Sequence, residues 1–438
     1  MNAEQLSEIS LKPSVKRNKF ILMKNKLPLA EKSRKTKNMK YPDAIQTLER
    51  ALKNAPQSPI TDLAARLIAG AKQFDLHKTA QLAVNFRMDS IQRNQANPPD
   101  YTHESILGAP YADDEQTPLE AGEVWHQGRR ASNTGLKYAF NSAGLPINPF
   151  MNTGLNGRGV LGQFGPNHAV DNGIIRIKKD ENGDDALHVI GILRKFDNDA
   201  PALCGGFAKY ARGANGEYIF DKAAVIETQL EELFEEMISG SITLDAKHAA
   251  KLPKAVQNEY DRRMLRRNGL ALSDHHKAEI AEQIKTGLKM AQVEENDPNF
   301  LKRLHDVIAA GHECFAGPIL NDNRNTNNAW IETKLTWFTM DDATWQNIVG
   351  ATPKYNYAFS AGDDASGVVE HHLSPTLIKD AFASHGALFS FIAASYLLDA
   401  QAKGETLPPS IMQQCLDVVN FLETENARNA RPNSAPRP

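Results

Sequence analysis

Five glutamates fall within ten positions of the run "ETQLEELFEEMIS", Glu227 to Ser239, with no basic residue among them. Ile226, Leu230, Leu233 and Met237 recur at three- and four-residue steps through the same run, the period of a helix with one buried face. On that helix Glu232, Glu235 and Glu236 stand at i, i+3 and i+4 and converge on one patch. Glu227, Glu231 and Glu235 form a second row at four-residue spacing. Each like-charged i,i+4 pair costs about 0.2–0.5 kcal/mol. A hard divalent cation, which takes oxygen ligands, removes that repulsion. The patch is therefore read either as a metal-binding surface or as a solvated acidic face, and its surroundings decide between the two.

Other conspicuous groups carry less chemistry. The pairs His275-His276 and His371-His372 lack the i,i+4 spacing of a helical metal pair, and adjacent histidines point apart on a helix, so packing or surface roles are expected. The stretch "GLNGRG" lacks the terminal Lys-Ser/Thr of a phosphate-binding P-loop. Cys204, Cys314 and Cys415 are too widely separated for a zinc spacing and odd in number, which fits a reducing compartment, and Cys204 is read as a packing residue.

The surroundings of the acidic run point to a family. Glu231-Glu232-Leu233-Phe234-Glu235-Glu236 resembles the R-E-x-x-E-E core of the Nudix hydrolase signature, and the glycine pair Gly205-Gly206 of "LCGGF" precedes it. Four further stretches are similar to the metazoan ADP-ribose pyrophosphatases and to the related ADP-ribose-sensing domain of melastatin-type channels: "NPPDYTHESILGAPYAD" (97–113), "GLPINPFMNTGLNGRGVLGQFGPNHA" (144–169), "NDNRNTNNAWIET" (321–333) and, more loosely, "AGDDASGVVEHHLSPTLIKDAFASH" (361–385). The resemblance spans about residues 96–396. It implies a Nudix α/β/α sandwich with a smaller preceding subdomain, and Mg²⁺-dependent hydrolysis (with Mn²⁺ as the other candidate cofactor) of ADP-ribose to AMP and ribose 5-phosphate. By motif position it implies Glu232, Glu235 and Glu236 as metal ligands and catalytic carboxylates, with the backbone at Gly205 and Gly206 completing the metal shell. Glu332 becomes a candidate further catalytic carboxylate, with Asp363 and Asp364 as weaker ones. His168 falls where the family contacts the nucleotide, and Asp322 and Arg324 at the distal ribose and phosphates. Phe382, Ser384 and His385 fall where an aromatic ring meets adenine. A structural reading stands beside each: a loop histidine, a loop salt bridge, a core aromatic.

The chain also departs from the family's pattern. Ten residues separate Gly206 from Glu217 and thirteen separate Glu217 from Glu231, so that eleven residues are extra, and Ala223 stands at the family's spacing for the first box glutamate. That glutamate is either displaced to Glu217 or lost. Glu231 replaces the box arginine, and Ile238 replaces the late glycine. The expectation is a repulsive metal-free site, unless a cation of the inserted loop, Lys209 or Arg212, has taken the arginine's place. A non-hydrolysing ADP-ribose sensor and a hydrolase of another nucleoside diphosphate derivative therefore stay open.

The elements that must position these residues follow from composition and period. Residues 11–40 hold eleven Lys or Arg against one Glu and are expected to form a basic flexible arm (1–40), a solvated segment first, with a nucleic-acid or membrane contact or an address as the alternatives. A mitochondrial transit peptide fits poorly, because the bases are mainly Lys and Glu4 and Glu8 lie among the first eight residues. Two or three helices are predicted over 42–93, giving a helical extension (41–95). Next come a substrate-covering subdomain (96–175) and a Nudix domain (176–400). In the latter "IIRIKK" and "LHVIGIL" are predicted strands joined by the turn "DENGDD", and a helical insertion interrupts it at about 241–312. The apolar stretch "GALFSFIAASYLLDA" is too short for a membrane span and is read as a buried helix. Two closing helices are expected, one opened by Ser374-Pro375 and one by Pro408-Pro409. The final segment (401–438) then ends in a disordered tail, "NARNARPNSAPRP". The net charge of −3 is uninformative; the substrate is expected to be a small molecule, with no membrane span and no nucleic-acid partner. A cytoplasmic location is expected, and no protein partner of the insertion is identified.

Overall fold

The computed structural model describes residues 44–430, apart from 91–97, 110, 196, 215–216, 267–271, 273, 351–354, 356 and 363–364. The basic arm, the end of the tail, Asp363 and Asp364 thus lie outside the described residues.

The chain opens with α1 (Ala44–Asn54) and α2 (Pro59–Ser90), within the range where two or three helices are expected. Ser58 and Thr61 cap α2 reciprocally, Ser58 N–H donating to Thr61 Oγ1 at 2.9 Å and Thr61 N–H to Ser58 Oγ at 3.2 Å, with Pro59 in the first turn where its missing N–H costs nothing. After β1 (Asp100–Thr102), β2 (Asn156–Gly159) pairs with it in parallel. The long strands β3 (Gly165–Lys179) and β4 (Asp185–Arg194) form a hairpin through the expected turn. There Asp180 Oδ1 accepts from Asn182 and Asp184 N–H groups, and Gly183 takes a φ of 84°. Short strands follow: β5 (Ala200–Ala202) on β4, β6 (Cys204–Phe207) on β3, and a separate hairpin of β7 (Ala211–Arg212) and β8 (Tyr218–Ile219). The acidic run lies in α3 (Lys222–Met237), and α4 (Ala246–Ala249), α5 (Leu252–Arg266), α6 (Asp274–Asn296) and α7 (Pro298–Ala309) occupy the predicted helical block. The remaining elements are β9 (His312–Pro318), β10 (Ala329–Thr339), α8 (Asp342–Val349), β11 (Ala365–His372), α9 (Pro375–Asp380), α10 (His385–Lys403) and α11 (Pro409–Ala430).

One mixed sheet organises these elements, with the order β11-β4-β3-β10-β9 and the short β5 and β6 attached to β4 and β3. Side chains alternate across it. Ile175, Leu187, Val189, Leu335 and Trp337 pack into a core with α2, α10 and α11, whereas Ile174, Ile190, Ile192 and Phe338 pack into another with α3, α6 and α7. Helices therefore cover both faces, which explains why β10 is buried at nearly every position. The "GALFSFIAASYLLDA" stretch is α10, apolar around its circumference and enclosed between α2 and the sheet, as its composition requires. No helix among the described residues is long and apolar enough to cross a membrane. All three cysteines are buried and unbridged.

Two expectations are corrected. Ser374 does cap a helix, its hydroxyl accepting from Leu377 N–H, but α9 ends at Asp380 and α10 starts afresh at His385. Ala383 between them has a φ of 45°, a left-handed conformation incompatible with a continuous helix. His371 and His372 lie on strand β11, before α9. The tail is helical through Ala430, because Asn426 finds partners on α2, donating to Gly70 O at 3.0 Å and meeting His77 Nδ1 at 3.3 Å.

Candidate active site

Helix α3 begins at Asp221, whose side chain accepts from Ala224 N–H, and buries Leu230, Leu233, Phe234 and Met237 in the core beneath the sheet. That register turns its acidic side toward β6. Gly205 and Gly206 make the approach possible. A Cβ on Gly206 would meet Glu232 Oε2 at 2.4 Å, and one on Gly205 would meet Val170 O at 2.2 Å and Asp171 Oδ1 at 2.7 Å. Gly205 N–H donates to Glu236 Oε2 at 2.8 Å. Burial, and then the neighbouring Glu235 charge, push the Glu232 carboxyl well above the usual carboxylate range.

The missing box arginine has a substitute. Lys209, on the loop leaving β6, places Nζ 2.8 Å from Glu231 Oε2 and 3.4 Å from Glu235 Oε1, and its backbone N–H donates to Thr228 Oγ1 of α3 at 3.2 Å. The expectation of an uncompensated row is thereby corrected. Arg212 lies elsewhere, pairing with Glu120 at 2.9 Å and stacking on Tyr218. The inserted residues form the β7–β8 hairpin, in which Gly213 N–H donates to Glu217 O at 2.8 Å. Glu217 thus borders the β7–β8 hairpin, and Ala223 lies in the first turn of α3.

A second group assembles around the other side of β6. Asp322 holds Arg324 by two hydrogen bonds, Nε–Oδ1 at 2.9 Å and Nη2–Oδ2 at 2.7 Å, and also accepts from the Arg324 N–H. Although burial opposes it, the Arg324 charge keeps the Asp322 carboxyl below its ordinary range. The Arg324 guanidinium lies 5.6 Å from the centre of the Phe207 ring. The α9–α10 break brings in the expected "FASH" residues: Phe382 N–H donates to Pro201 O at 2.9 Å, Ser384 Oγ accepts from Asn321 N–H at 3.1 Å, and His385 Nδ1 accepts from Leu203 N–H at 3.1 Å. Burial, and then the nearby Arg194 charge, lower His385 to about 3, leaving a neutral imidazole.

His168 and Glu332 stand apart from both groups. They are register partners on β3 and β10. His168 donates through Nε2 to Ala131 O at 2.8 Å, stacks on Phe220 at 4.7 Å, and is lowered to about 4 by burial. Glu332 accepts from Trp330 Nε1 at 2.8 Å, Ser132 Oγ at 3.0 Å and Asn133 N–H at 2.5 Å, and burial raises it to about 7. Both residues fasten the 131–133 loop to the sheet interior.

Two site residues escaped the sequence reading. Asp171, three residues after His168, is buried opposite Gly205, accepts from Thr333 Oγ1 at 2.6 Å, and is raised to about 6 by burial. An acid inside the apolar strand "HAVDNGII" is the signal that was available. Arg194 ends the apolar run "LHVIGILR", its guanidinium 4.8 Å from the centre of the Phe382 ring.

Residues 87–165 match the family described as NUDT9-like, N-terminal domain. Over 309 residues the chain is 28% identical to the mitochondrial ADP-ribose pyrophosphatase of Rattus norvegicus, a match covering 69% of this chain and 70% of that protein. The resemblance read from the motifs holds. A putative nudix hydrolase 6 of Caenorhabditis elegans is 26% identical over 305 residues, 68% of this chain and 84% of that one. A transient receptor potential cation channel subfamily M member-like 2 of Nematostella vectensis is 26% identical over 256 residues, 57% of this chain and 12% of the channel. Among solved structures, a bifunctional NMN adenylyltransferase/ADP ribose pyrophosphatase of Francisella tularensis, complexed with AMP and a manganese ion, is similar at 13% identity and a TM-score of 0.26. The match covers 53% of this chain, which spans about two-fifths (42%) of that one.

A divalent cation suits the donor set chemically. Three carboxylates share one helical turn, one of them is crowded enough to resist ionisation, and hard oxygen donors are what Mg²⁺ and Mn²⁺ take. The side chains are not drawn to a common point, however. Among the described residues no three His, Cys, Asp or Glu side chains form a ready-made ligand group. Glu236 is held by Gly205 N–H and Glu235 by Lys209.

Proposed function

We propose that this chain hydrolyses the pyrophosphate of ADP-ribose to AMP and ribose 5-phosphate with the help of Mg²⁺ or Mn²⁺, on a Nudix α/β/α sandwich. The observation that carries the reading is the seating of Glu232 against Gly206 and of Glu236 against Gly205, with Glu235 on the same helical turn paired to Lys209 and with Asp322 and Arg324 beside Phe207 of the same short strand. The similarity to a rat ADP-ribose pyrophosphatase supports the substrate assignment. Glu232, Glu235, Glu236 and the Gly205-Gly206 backbone would hold the cation. When bound, it supplies charge neutralisation for the phosphoryl oxygens and acidifies a water. The protein's own part is positional. Lys209 holds Glu231 and Glu235, and Gly205 N–H orients Glu236. Arg324, fixed by Asp322, offers a guanidinium to phosphate and distal ribose, and Phe382, Ser384 and His385 line the nucleotide end. For His168 and Glu332 the interior contacts favour a supporting role, in which they hold the 131–133 loop against the sheet.

The domain division follows the same reading: a helical extension to about residue 95, a cleft-covering segment over 96–175, a catalytic unit over 176–400 with the α4–α7 insertion, and a closing helix. The unpaired cysteines favour a reducing compartment such as the cytoplasm. Comparing the distribution of tagged protein with and without residues 1–40 tests whether the arm is an address.

A second reading is favoured by one specific feature, Ala223 in place of the first box glutamate: a sensor that binds ADP-ribose and leaves it whole. Calorimetric titration with ADP-ribose, followed by chromatography of the same sample, separates the two. Heat of binding with recovered intact ADP-ribose supports the sensor, and conversion to AMP supports the hydrolase.

A further inference from the structure

Arg194 belongs to none of the motifs that pointed to a site, yet it stands among their residues. It closes β4, and Nε donates to Asp197 Oδ2 at 3.2 Å across a tight loop. Its guanidinium lies 4.8 Å from the centre of the Phe382 ring, and its charge reaches both Asp171 and His385. Arg324 reaches the same two residues and also feels Asp197. The two arginines therefore share one electrostatic neighbourhood. They are also built alike: each is engaged by an aspartate through Nε, each lies near a phenylalanine ring, Phe382 or Phe207, and each is about 30% exposed (28% and 31%).

We propose that Arg194 and Arg324 form a paired-guanidinium clamp that grips a phosphate of a nucleoside diphosphate substrate. The inference rests on the hydrolase or sensor reading of the cleft and adds a residue that the motifs do not assign. The physical case is one of charge and shape. Guanidinium edges match phosphate oxygens in a planar, forked geometry, and the charge is permanent. His385 lies close by but is held neutral, so the positive charge for an anion comes from the two arginines. The Asp197 and Asp322 carboxylates orient the guanidiniums and leave outward N–H groups, Nη1 of Arg324 and the terminal nitrogens of Arg194 having no hydrogen bond among the described contacts. Arg194 already lies over the Phe382 ring, so a base stacking on that ring would not share the face with the guanidinium, whose remaining N–H groups suit an anion better than a neutral base.

The test is calorimetric titration of the full chain, with a chelator present to prevent turnover, using ADP-ribose and adenosine as separate ligands. Wild-type protein must bind ADP-ribose; if it binds neither ligand, the underlying reading of the cleft fails before the clamp is tested. Given wild-type binding, Arg194→Ala is expected to raise the Kd for ADP-ribose at least about tenfold while leaving adenosine within twofold. Arg194→Lys, which keeps the charge and loses the fork, falls between. Arg194→Gln repeats the test with the side-chain volume kept, should the alanine variant not fold. An unchanged Kd for ADP-ribose overturns the clamp. So does an equal loss for adenosine, because Arg194 would then act only by packing on Phe382.

Discussion

Removing Lys209 should reveal the repulsion stored along α3. The ammonium lies 2.8 Å from Glu231 and 3.4 Å from Glu235, and the side chain is about half exposed (49%), so these are surface-type ion pairs. Each is worth about 0.2–1 kcal/mol. Its loss also leaves the i,i+4 pairs Glu231/Glu235 and Glu232/Glu236 without their nearest cation, at about 0.2–0.5 kcal/mol per pair. Lys209→Ala should therefore cost about 1–2 kcal/mol in metal-free buffer, which for a chain of 438 residues lowers the melting temperature by about 1–2 °C. Saturating Mg²⁺ should recover most of that loss, because a ligand that binds only the folded site stabilises by mass action and now meets no competing ammonium. The metal-induced rise is then larger in the variant than in wild type. Adding Glu231→Arg to the variant puts a cation back on the helix and should restore the metal-free melting temperature. The assay is a calorimetric melt of wild type, Lys209→Ala and the double variant, each with chelator and with Mg²⁺. Identical metal shifts in wild type and Lys209→Ala would refute the reasoning and make Lys209 a solvated side chain of no consequence to the cluster.

Other outcomes follow from the same geometry. Glu235→Gln and Glu236→Gln should each lose at least about 10–100-fold in rate, the loss already typical when only a residue supporting a metal ligand is changed, while ADP-ribose binding in chelator survives; wild-type turnover would leave the cluster a mere acidic face. Arg324→Ala should weaken ADP-ribose more than AMP, and equal losses in a titration of both would move Arg324 away from the distal half. Glu332 is raised to about 7 in the fold against an ordinary value near 4.3. Its contribution to stability is therefore present in full below about pH 4 and lost as pH rises through about 7. Relative to Glu332→Gln, wild type should lose stability steadily between about pH 4.5 and 7 and no further above, as urea melts across that range would show; a constant difference would contradict the assignment.

The parts of the fold that rest on local periodicity were legible in the sequence. The apolar steps of α3 place its core face, "DENGDD" marks the β3–β4 turn, and the uninterrupted apolarity of α10 marks a helix enclosed on all sides. What stayed hidden depends on partners distant in the chain. The parallel pairing of β3 with β10 joins His168 to Glu332, and no local pattern shows that both then turn inward to the 131–133 loop. Lys209 reads as an isolated base of an inserted loop until the β6 register sets it beside Glu231. The helix break at Ala383 is equally silent, since alanine favours helix and a φ of 45° is imposed by the contacts of Phe382 with Pro201 and of Ser384 with Asn321. Asp171 inside β3 left a local signal as an acid in an apolar strand, whereas Arg194 at the end of β4 left none, and only the fold brings both into the neighbourhood of Arg324.

The central claim, that the α3 carboxylates and the Arg324 group serve one reaction, is tested most directly by following the fate of ADP-ribose as Mg²⁺ is titrated into the folded full-length chain. AMP and ribose 5-phosphate should appear in equal amounts, with a rate that rises with Mg²⁺ and is abolished by chelator. ADP-ribose recovered intact at saturating Mg²⁺, from protein whose melt shows it folded, would contradict the account.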